Sequence, residues 1–226
     1  MSYGNKQIVS FVRRSARMST AQKRALENLW HKYAIDLNDS LLDFTKLFDN
    51  QNPVILEIGF GMGDNLLSLA ESHAEQNFIG VDVHKPGVAS VLRCIEEQQL
   101  SNIRLYGDDV VEFLQRAVVD ASLDAVLIFF PDPWPKRRHR KRRLMNEKFI
   151  SILARVLKPK GSLYFATDWQ YYAEEVLHIM ESNEQFGNQA GKNQFANRPE
   201  FRPVTKFERR GERLGHKVFD LHFIRS

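Results

Sequence analysis

One stretch decides the fold, because it joins an apolar run, a set of alternating glycines and the start of a helix. It reads Val54-Ile55-Leu56-Glu57-Ile58-Gly59-Phe60-Gly61-Met62-Gly63-Asp64. The first five residues predict a buried β-strand. Glycines at every second position let the backbone turn tightly and approach a ligand closely. Leucines and an alanine within residues 66–70 then predict a helix.

The same alternation of strand and helix continues along the chain. Further strands are predicted at Asn77 to Asp82, Ile103 to Tyr106, Asp124 to Phe130, Ser162 to Thr167 and Phe219 to Phe223. Further helices are predicted around residues 88–95, at Val110 to Val118, around residues 149–157 and at Tyr171 to Ser182, with a turn at Lys158 to Gly161. This alternation is typical of an α/β fold with a mostly parallel sheet and helices on both faces. In such sheets, ligands bind beyond the carboxyl ends of the strands.

The length and composition fit one globular domain with a basic segment in front of it. With 43% hydrophobic and 27% charged residues among 226, the chain is not a disordered one. No apolar run approaches the ~20 residues of a membrane helix. The apolar residues 8–12 are too few for a signal peptide, so we expect a cytoplasmic protein. Residues 1–34 are predicted to form a basic arm and a helix capped by Ser19 or Thr20, and residues 35–226 a single domain.

The net charge of +4 hides an uneven distribution. Lys136 to Arg143 holds seven basic residues and no acid, and the segment before Ala25 holds six basic residues and no acid. The tail from Arg198 holds eight basic and four acidic residues. The remaining middle carries 11 basic residues against 24 acidic ones. An acidic body with three basic segments predicts a polyanionic partner.

The glycine loop has the spacing G-x-G-x-G, whereas a dinucleotide fingerprint has G-x-G-x-x-G. Asp64 beside the helix start would repel a pyrophosphate but not an ammonium group. A tight turn of purely structural importance is the alternative interpretation of these glycines.

Acidic residues follow the second and third predicted strands. Asp82 can accept both ribose hydroxyls of a nucleoside, or it is an ordinary solvated residue at a strand end. After the third strand comes Gly107-Asp108-Asp109, where an acid can bind an adenine amino group or cap the next helix. Together, the glycine loop, Asp82 and Asp109 resemble the nucleoside site of class I S-adenosylmethionine-dependent methyltransferases.

A proline-rich loop, Phe130-Pro131-Asp132-Pro133-Trp134-Pro135, follows the fourth strand. Its prolines stiffen the backbone and hold Asp132 and Trp134 in fixed directions, although a simple turn with a packing Trp is the alternative. The basic run at Lys136 to Arg143 begins directly after it. Beside such a loop the run indicates phosphate contacts, against the alternatives of a solvated helix face or a localisation signal.

The motifs of the whole chain resemble one family, the bacterial tRNA (guanine-N7)-methyltransferases. The resemblance covers residues from about Arg13 to the end. It is carried by Leu56 to Gly63, Pro131-Asp132-Pro133-Trp134 with Lys136 and His139 to Arg143, Ala166-Thr167-Asp168-Trp169, Arg202 to Glu208, and Leu214-Gly215-His216. The proline-rich loop with its basic run and the Thr205 to Glu208 segment are specific in combination, whereas the glycine loop is not.

The resemblance implies a Rossmann-like class I methyltransferase fold with an antiparallel C-terminal strand, acting on tRNA. It implies methyl transfer from S-adenosyl-L-methionine to N7 of guanosine 46 in the tRNA variable loop. The sequence leaves the oligomeric state open between a monomer and a homodimer. The positions matching the family's cofactor-binding residues are Glu57, Gly59, Gly61, Gly63, Asp82, Asp109 and Asp132. The positions matching its substrate-binding and RNA-contact residues are Lys136, Arg138, His139, Arg140, Lys141, Arg142, Arg143, Asp168, Thr205, Lys206, Phe207 and Glu208. Asp132 also matches the proposed catalytic residue, and the family often has Glu where this chain has Asp82.

The chemistry of guanine N7 needs little from the protein besides orientation and charge. N7 carries a lone pair and no proton, so neither a general base nor a cysteine adduct is required, and the lone Cys94 is expected to be a packing residue. Asp132 is expected to stabilise charge on the base or to accept from its N1–H and amino groups, with Asp168 or Glu208 doing the other task. Trp134, Trp169 and Phe207 are expected either to stack on a base or to pack in the core. No metal is expected, since the histidines lack metal-ligand spacing.

Three rivals remain open at this point. A nicotinamide-dependent oxidoreductase leaves the basic run unexplained, and a non-catalytic RNA-binding module leaves the three acids at successive strand ends unexplained. A methyltransferase acting on adenine amino groups would have the order Asp/Asn-Pro-Pro-aromatic where this chain has Pro131-Asp132-Pro133-Trp134.

Overall fold

A twisted sheet of seven strands lies at the centre of the computed structural model, which describes residues 11, 17–38, 40–204, 208 and 217–226. The strands are β1 (Val54–Ile58), β2 (Asn77–Val81), β3 (Ile103–Tyr106), β4 (Leu123–Phe129), β5 (Leu157–Thr167), β6 (Phe186–Asn188) and β7 (Phe219–Arg225). Their order across the sheet is β3-β2-β1-β4-β5-β7-β6. The first five strands run parallel, and β7 is antiparallel to both β5 and β6. The mostly parallel α/β sheet with an antiparallel C-terminal strand is therefore confirmed.

Seven α-helices and one 3-10 helix are found in the described residues. They are α1 (Thr20–Tyr33), α2 (Phe44–Phe48), α3 (Asp64–Ser72), α4 (Lys85–Gln98), α5 (Val110–Ala117), α6 (Glu147–Val156) and α7 (Gln170–Glu181), with the 3-10 helix at Arg137–Arg142. All the predicted helices are present. Short elements were not predicted, namely α2, the 3-10 helix and β6, because so few residues carry little periodicity.

Helices cover both faces of the sheet, as the near-continuous apolar strands require. On one face α5, α6 and α7 pack through residues such as Phe113, Phe149 and Tyr172. On the other face, α1, α3 and α4 contribute residues such as Leu66 and Leu92. This arrangement leaves the loops at the carboxyl ends of the strands free to form a site.

Helix α1 begins with a capping box. The side chain of Ser19 accepts from the backbone N–H of Gln22, whose own side chain accepts from the backbone N–H of Ser19. The Gln22 amide also donates to the carbonyl of Pro86 at 3.1 Å, and Lys32 pairs with Glu96 at 2.6 Å. Helix α1, grouped with the basic arm in the sequence-based division at residue 34, therefore packs on α4.

The predicted turn at 158–161 is a bulge within β5. Leu123 pairs with Leu157 and Ala125 pairs with Ser162, so the intervening residues of β5 have no partners in the ladder. Lys160 adopts a φ of 66°, which accommodates the extra residues. The strand resumes at Ser162 and keeps its end in register with β4.

Within the described ranges, no helix combines the length and the apolar character needed to cross a membrane.

Candidate active site

The glycine loop after β1 turns in a left-handed conformation that favours glycine. Gly59 and Gly61 have φ values of 77° and 59°. The N–H of Gly59 donates to the carbonyl of Val81 at 2.8 Å, and that of Gly61 donates to Oδ2 of Asp82 at 2.7 Å. A Cβ at either glycine would meet no atom within 4 Å. The loop is therefore tied to the end of β2 while its own backbone faces open space.

Gly87, in the first turn of α4, is a site residue that was not predicted from the sequence. A Cβ built there would lie 1.8 Å from the carbonyl oxygen of Gly61, so only glycine allows α4 to approach the loop this closely. The available signal was a glycine within a helical pattern, which often marks a packing constraint.

Asp82 holds two backbone segments together. Its Oδ2 accepts from Gly61, and its Oδ1 accepts from the N–H of His84 at 2.7 Å. A carboxylate offers about four lone-pair sites, so capacity remains for hydroxyl donors from a ligand. Asp82 also lines the cavity described below.

The two acids after β3 have different surroundings. Asp109 caps α5, and its Oδ1 accepts from the N–H of Val111 at 2.9 Å. Asp108 lines the cavity, and its Oδ1 accepts from the N–H of Asp109 at 2.8 Å. The capping interpretation of Asp109 thus describes its observed contact, and Asp108 is the neighbouring acid that faces the cavity.

Glu57 is a buried acid with an incomplete polar environment. It is 4% exposed, and its Oε2 accepts from Nδ2 of Asn65 at 2.9 Å. Burial raises the pKa of Glu57 to about 7, the charge of Asp82 adds to the rise, and the bond from Asn65 opposes it. The Oδ1 atom of Asn65 is buried with no hydrogen-bond partner among the described residues. Glu57 directly precedes Ile58, which lines the cavity described below, but neither Glu57 nor Asn65 is itself a lining residue.

A cavity of about 350 Å³ opens at the carboxyl ends of the strands, where the sheet order reverses between β1 and β4. This is the switch point at which doubly wound sheets bind ligands, and the volume lies in the range of small-molecule sites. The lining residues include Gly59, Asp82, Asp108, Pro131 and Asp132. Asp132 is exposed, so it stands between the cavity and solvent.

The proline-rich loop after β4 is backbone-strained at two aromatic residues. Phe130 has a φ of 53° and Trp134 a φ of 43°. Left-handed conformations of bulky residues cost about 1–3 kcal/mol each and persist only when the surroundings hold them. One constraint is the bond from the N–H of Phe130 to the carbonyl of Ala166 at 2.8 Å, which ties the loop to β5.

A buried ion cluster holds the start of this loop. The guanidinium of Arg202 bonds both oxygens of Asp220 at 3.0 and 3.1 Å and Oε1 of Glu208 at 2.6 Å. Its central carbon lies 5.6 Å and 5.4 Å from the ring centroids of Phe129 and Phe130. The cation is therefore sandwiched between two carboxylates and the aromatic residues that lead into the loop.

Glu208, predicted from the sequence to bind substrate, pairs with Arg202 in the structure, and its role toward a substrate stays a prediction. Its side chain is 2% exposed because it neutralises Arg202 inside the fold. Thr205, Lys206 and Phe207, expected beside it in the substrate site, lie outside the described residues.

Arg143 has different surroundings from the rest of the basic run. The sequence groups it with the RNA-contacting residues, but its side chain is 2% exposed. Its Nε donates to the carbonyl of Pro133 at 2.8 Å, and its guanidinium pairs with Glu175 and lies 4.8 Å from the ring centroid of Tyr172. A buried guanidinium with these partners fastens the proline-rich loop to α7, and contact of Arg143 with RNA stays a prediction.

The rest of the basic run faces solvent on the 3-10 helix. The exposed residues are Lys136, Arg137, Arg138, Arg140 and Lys141, and the half-buried ones are His139 and Arg142. Trp134 packs under this helix, with Arg142 5.2 Å from its ring centroid and His139 in edge contact at 5.8 Å. The pKa of His139 is lowered by desolvation and by the neighbouring cations Arg138, Arg142 and Lys136. Trp134 thus supports the basic surface and lies outside the two hydrophobic cores.

The end of β5 places Asp168 and Trp169 beside the proline-rich loop. The N–H of Trp169 donates to Oγ1 of Thr167 at 3.2 Å, and Asp168 is half-buried. Trp169 is 37% exposed, so the core interpretation of this residue does not describe its position.

In the part of the chain that the structure describes, no three His, Cys, Asp or Glu side chains come together as metal ligands would.

Solved structures with a similar fold are methyltransferases. The 16S rRNA methyltransferase KamB matches with a TM-score of 0.60 at 15% identity, covering 86% of this chain and 99% of that one. A 16S rRNA (adenine(1408)-N(1))-methyltransferase from Catenulisporales acidiphilia, solved as a point mutant with the cosubstrate SAM, matches with a TM-score of 0.54 at 15% identity, covering 84% and 92%. At these identities the similarity establishes the fold alone.

The sequence matches are closer. Residues 51–221 match a family model described as "Putative methyltransferase". A tRNA (guanine-N(7)-)-methyltransferase from Hydrogenovibrio crunogenus is 46% identical over 97% of this chain and 92% of its own length. Proteins of the same name from Ectopseudomonas mendocina and Klebsiella pneumoniae are 50% and 47% identical, each over 97% of this chain and 92% of their own length. With this identity over nearly the whole length, the chain belongs to the tRNA (guanine-N(7)-)-methyltransferase family.

Proposed function

We propose that this protein methylates N7 of a guanosine in tRNA, that the guanosine is position 46 of the variable loop, and that S-adenosyl-L-methionine is the donor. The observation that carries the proposal is the meeting of two charge signs at one end of the sheet. An acidic cavity ends at Asp132, and the exposed cationic surface begins four residues later at Lys136. We further propose that the reaction takes place in the cytoplasm, by a monomer or homodimer.

The residues in and beside the cavity fit a nucleoside cofactor with a cationic end, and of these Asp82 and Asp108 line the cavity itself. Asp82 would accept from ribose hydroxyls, and Asp108 or Asp109 from an adenine amino group. Glu57 and the unpartnered Oδ1 of Asn65 would accept from an ammonium group, which would also offset the cost of burying the carboxylate. When bound, S-adenosyl-L-methionine supplies an electrophilic methyl group on a positively charged sulfur.

Asp132 contacts the guanine ring but removes no proton from N7, because N7 carries none. Its position at the mouth of the cavity allows its carboxylate to accept from the N1–H and amino groups of guanine. Adenine has no donor at N1, so this contact also selects the base. The methylated base carries a positive charge, which a nearby fixed carboxylate stabilises in the transition state.

The cationic surface has a mechanistic purpose beyond affinity. A base held in the tertiary structure of tRNA must be exposed before transfer, and unstacking costs a few kcal/mol. Contacts between phosphates and the exposed residues of the 3-10 helix offset that cost and set the register of the RNA.

The experiment that tests the proposal is incubation of the protein with tRNA and labelled S-adenosyl-L-methionine, followed by mapping of the modified nucleotide. We expect label in N7-methylguanosine at position 46. Label in N6-methyladenosine would mean an adenine methyltransferase, whereas tRNA binding without label would mean a non-catalytic RNA-binding module. Binding of a nicotinamide dinucleotide in place of S-adenosyl-L-methionine, measured by calorimetry, would favour the oxidoreductase.

Cofactor binding is expected to release a proton near neutral pH. In the free protein the pKa of Glu57 is raised to about 7, chiefly by burial, and a cationic ligand group would lower it by favouring the carboxylate. Affinity for S-adenosyl-L-homocysteine, which keeps the ammonium group, should therefore rise as pH increases through 7. Calorimetry at pH 6.5 in two buffers of different ionisation enthalpy measures the protons released.

Glu57→Gln provides the matched comparison, because glutamine is similar in size and does not titrate. We expect this variant to bind more weakly at pH 8 and to release no proton. Equal proton release by both proteins would contradict the assignment of Glu57 to the ammonium end of the cofactor.

RNA affinity is expected to fall steeply with salt, because the exposed cations displace condensed counterions from phosphates. Replacing Arg138, Arg140 and Lys141 with glutamine should lower the slope of log Kd against log salt concentration by roughly two. Fluorescence anisotropy of labelled tRNA at several salt concentrations measures it.

Arg143→Met is the control within the same run. Because Arg143 is buried, this variant should keep the salt slope of the unmodified protein while losing thermal stability through the contacts to Pro133 and Glu175. An unchanged slope in the triple variant, or a lowered slope in Arg143→Met, would count against phosphate contacts by the exposed surface.

A further inference from the structure

Two aromatic side chains project into solvent at the end of β5. Trp169 is 37% exposed and Tyr171 is 68% exposed, and their ring centroids are 6.4 Å apart. Most large apolar residues of the described chain are buried in the two cores. The planes of the two rings are inclined by 52°, and aromatic rings that are exposed to water are surfaces on which nucleobases stack.

The pair is fixed in place beside the proline-rich loop. Trp169 is the N-cap residue of α7, and its N–H donates to Oγ1 of Thr167 at the end of β5. One residue earlier, the carbonyl of Ala166 accepts from the N–H of Phe130, where the loop begins. The aromatic pair and Asp132 therefore follow the ends of two neighbouring strands, β5 and β4, at the same edge of the sheet.

Helix α7, which carries Tyr171, also contacts the basic run at Lys136 to Arg143. Glu175 lies one turn after Tyr171 on α7, and residues spaced by four share a helix face. Glu175 pairs with Arg143, which directly follows the 3-10 helix. The exposed cations of the 3-10 helix and the exposed rings are thus connected through α7, and cations combined with aromatic rings are found in proteins that bind unpaired RNA.

Neither aromatic residue lines the cavity at the strand ends. We propose that Trp169 and Tyr171 form a stacking platform for an unpaired base of the RNA next to the target guanosine, and not for the guanosine itself. This inference rests on the proposed function, since it presupposes an RNA substrate. Stacking of the neighbouring base holds the strand open while the target base enters the cavity.

The test compares Tyr171→Leu and Trp169→Leu with Tyr171→Phe and Trp169→Phe. Leucine keeps an apolar side chain but removes the ring, so we expect each leucine variant to raise the Kd for tRNA roughly tenfold. The phenylalanine variants should stay within about twofold of the unmodified protein, since every aromatic ring can stack. Leu41→Ala, at an exposed apolar residue outside the site, is the control that should change nothing.

Abasic tRNA identifies the base that stacks. If the platform holds a neighbour of the target guanosine, an abasic residue at that neighbour should weaken binding to the unmodified protein and abolish the further effect of Tyr171→Leu. The proposal would be overturned if, at both neighbours of the target guanosine, the effects of the abasic residue and of Tyr171→Leu on tRNA affinity added fully. A loss of kcat with unchanged Kd would also overturn it, because the rings would then act on the reacting base.

Binding and catalysis are measured separately so that two failures can be told apart. Absence of N7-methylguanosine with the unmodified protein would refute the proposed function, whatever the variants do. Wild-type methylation together with equal tRNA affinity of the leucine and phenylalanine variants would refute the platform alone. Circular dichroism and S-adenosyl-L-homocysteine affinity of each variant check that the fold is retained.

Discussion

Replacing Asp132 with alanine is expected to lower the rate of methyl transfer by roughly 100-fold or more, the size of effect seen when a preorganised charge is removed from a reaction centre. The expectation rests on the proposed function and on the position of Asp132 at the open side of the cavity. The measurement is a single-turnover rate with saturating S-adenosyl-L-methionine and tRNA, alongside the affinity for each. Turnover close to that of the unmodified protein would exclude a role for this carboxylate.

Asp132→Asn separates the possible actions of the carboxylate. If its negative charge stabilises the methylated base, asparagine should be nearly as slow as alanine. If it mainly accepts hydrogen bonds, asparagine should retain part of the rate through its amide oxygen.

A tRNA with inosine in place of the target guanosine lacks the amino group and tests base selection directly. Inosine should slow methyl transfer by the unmodified protein and have little further effect on the rate of the Asp132→Ala variant.

Asp120→Asn is the control for the Asp132 variants, because Asp120 is 72% exposed and pairs with Arg155 away from the cavity.

Replacing Arg202 with methionine is expected to lower the free energy of unfolding by about 3–5 kcal/mol, the usual cost of removing one partner from a buried ion cluster. Arg202, Glu208 and Asp220 are 2%, 4% and 6% exposed, so two buried carboxylates would lose the guanidinium that they share. The proline-rich loop should also lose the support of the guanidinium at Phe129 and Phe130. Urea denaturation at pH 7.5 measures the loss of stability.

The stability of Arg202→Met should depend on pH in a defined direction. Burial raises the pKa of Asp220 even though Arg202 opposes the rise, so removing Arg202 should raise it further. An acid whose folded pKa is raised destabilises the fold as pH increases through that value. The deficit of the variant should therefore shrink on acidification.

Neutralising the carboxylates is the second check on this cluster. The triple variant Arg202→Met, Glu208→Gln, Asp220→Asn removes both carboxylate charges along with the guanidinium and should recover much of the stability at pH 7.5. A single variant as stable as the unmodified protein, or a triple variant less stable than the single, would contradict the ion-cluster interpretation.

The order of the elements could be predicted from local sequence because strands and helices repeat with different periods. Continuous apolar runs mark β1 and β4, spacing of three and four marks α4, and alternation in Phe219 to Phe223 marks β7. Parallel strands all end at the same edge, so residues that follow them converge there. Asp82 and Asp132 were therefore placed at one site from their positions in the chain alone.

Residue types alone did not distinguish neighbours with different environments. Asp108 and Asp109 are adjacent and chemically identical, yet only Asp108 lines the cavity while Asp109 caps α5. Arg142 and Arg143 belong to one basic run, yet the chain turns Arg143 inward beneath the proline-rich loop. The direction of a side chain follows from the local backbone path, which a run of like residues does not encode.

The sequence by itself determined the strand-and-helix order, the edge of the sheet at which the acids after the strands converge, and the position of the basic run, because periodicity, strand direction and charge are local properties. Only the tertiary structure decided that Glu208 neutralises Arg202, that Glu57 is buried with a raised pKa, and that Gly87 must leave room for the glycine loop. Each of these depends on a distance between groups far apart along the chain or on exclusion of water. Such distances are set when the helices pack on the sheet, since burial fixes both which partners meet and how strongly their charges interact.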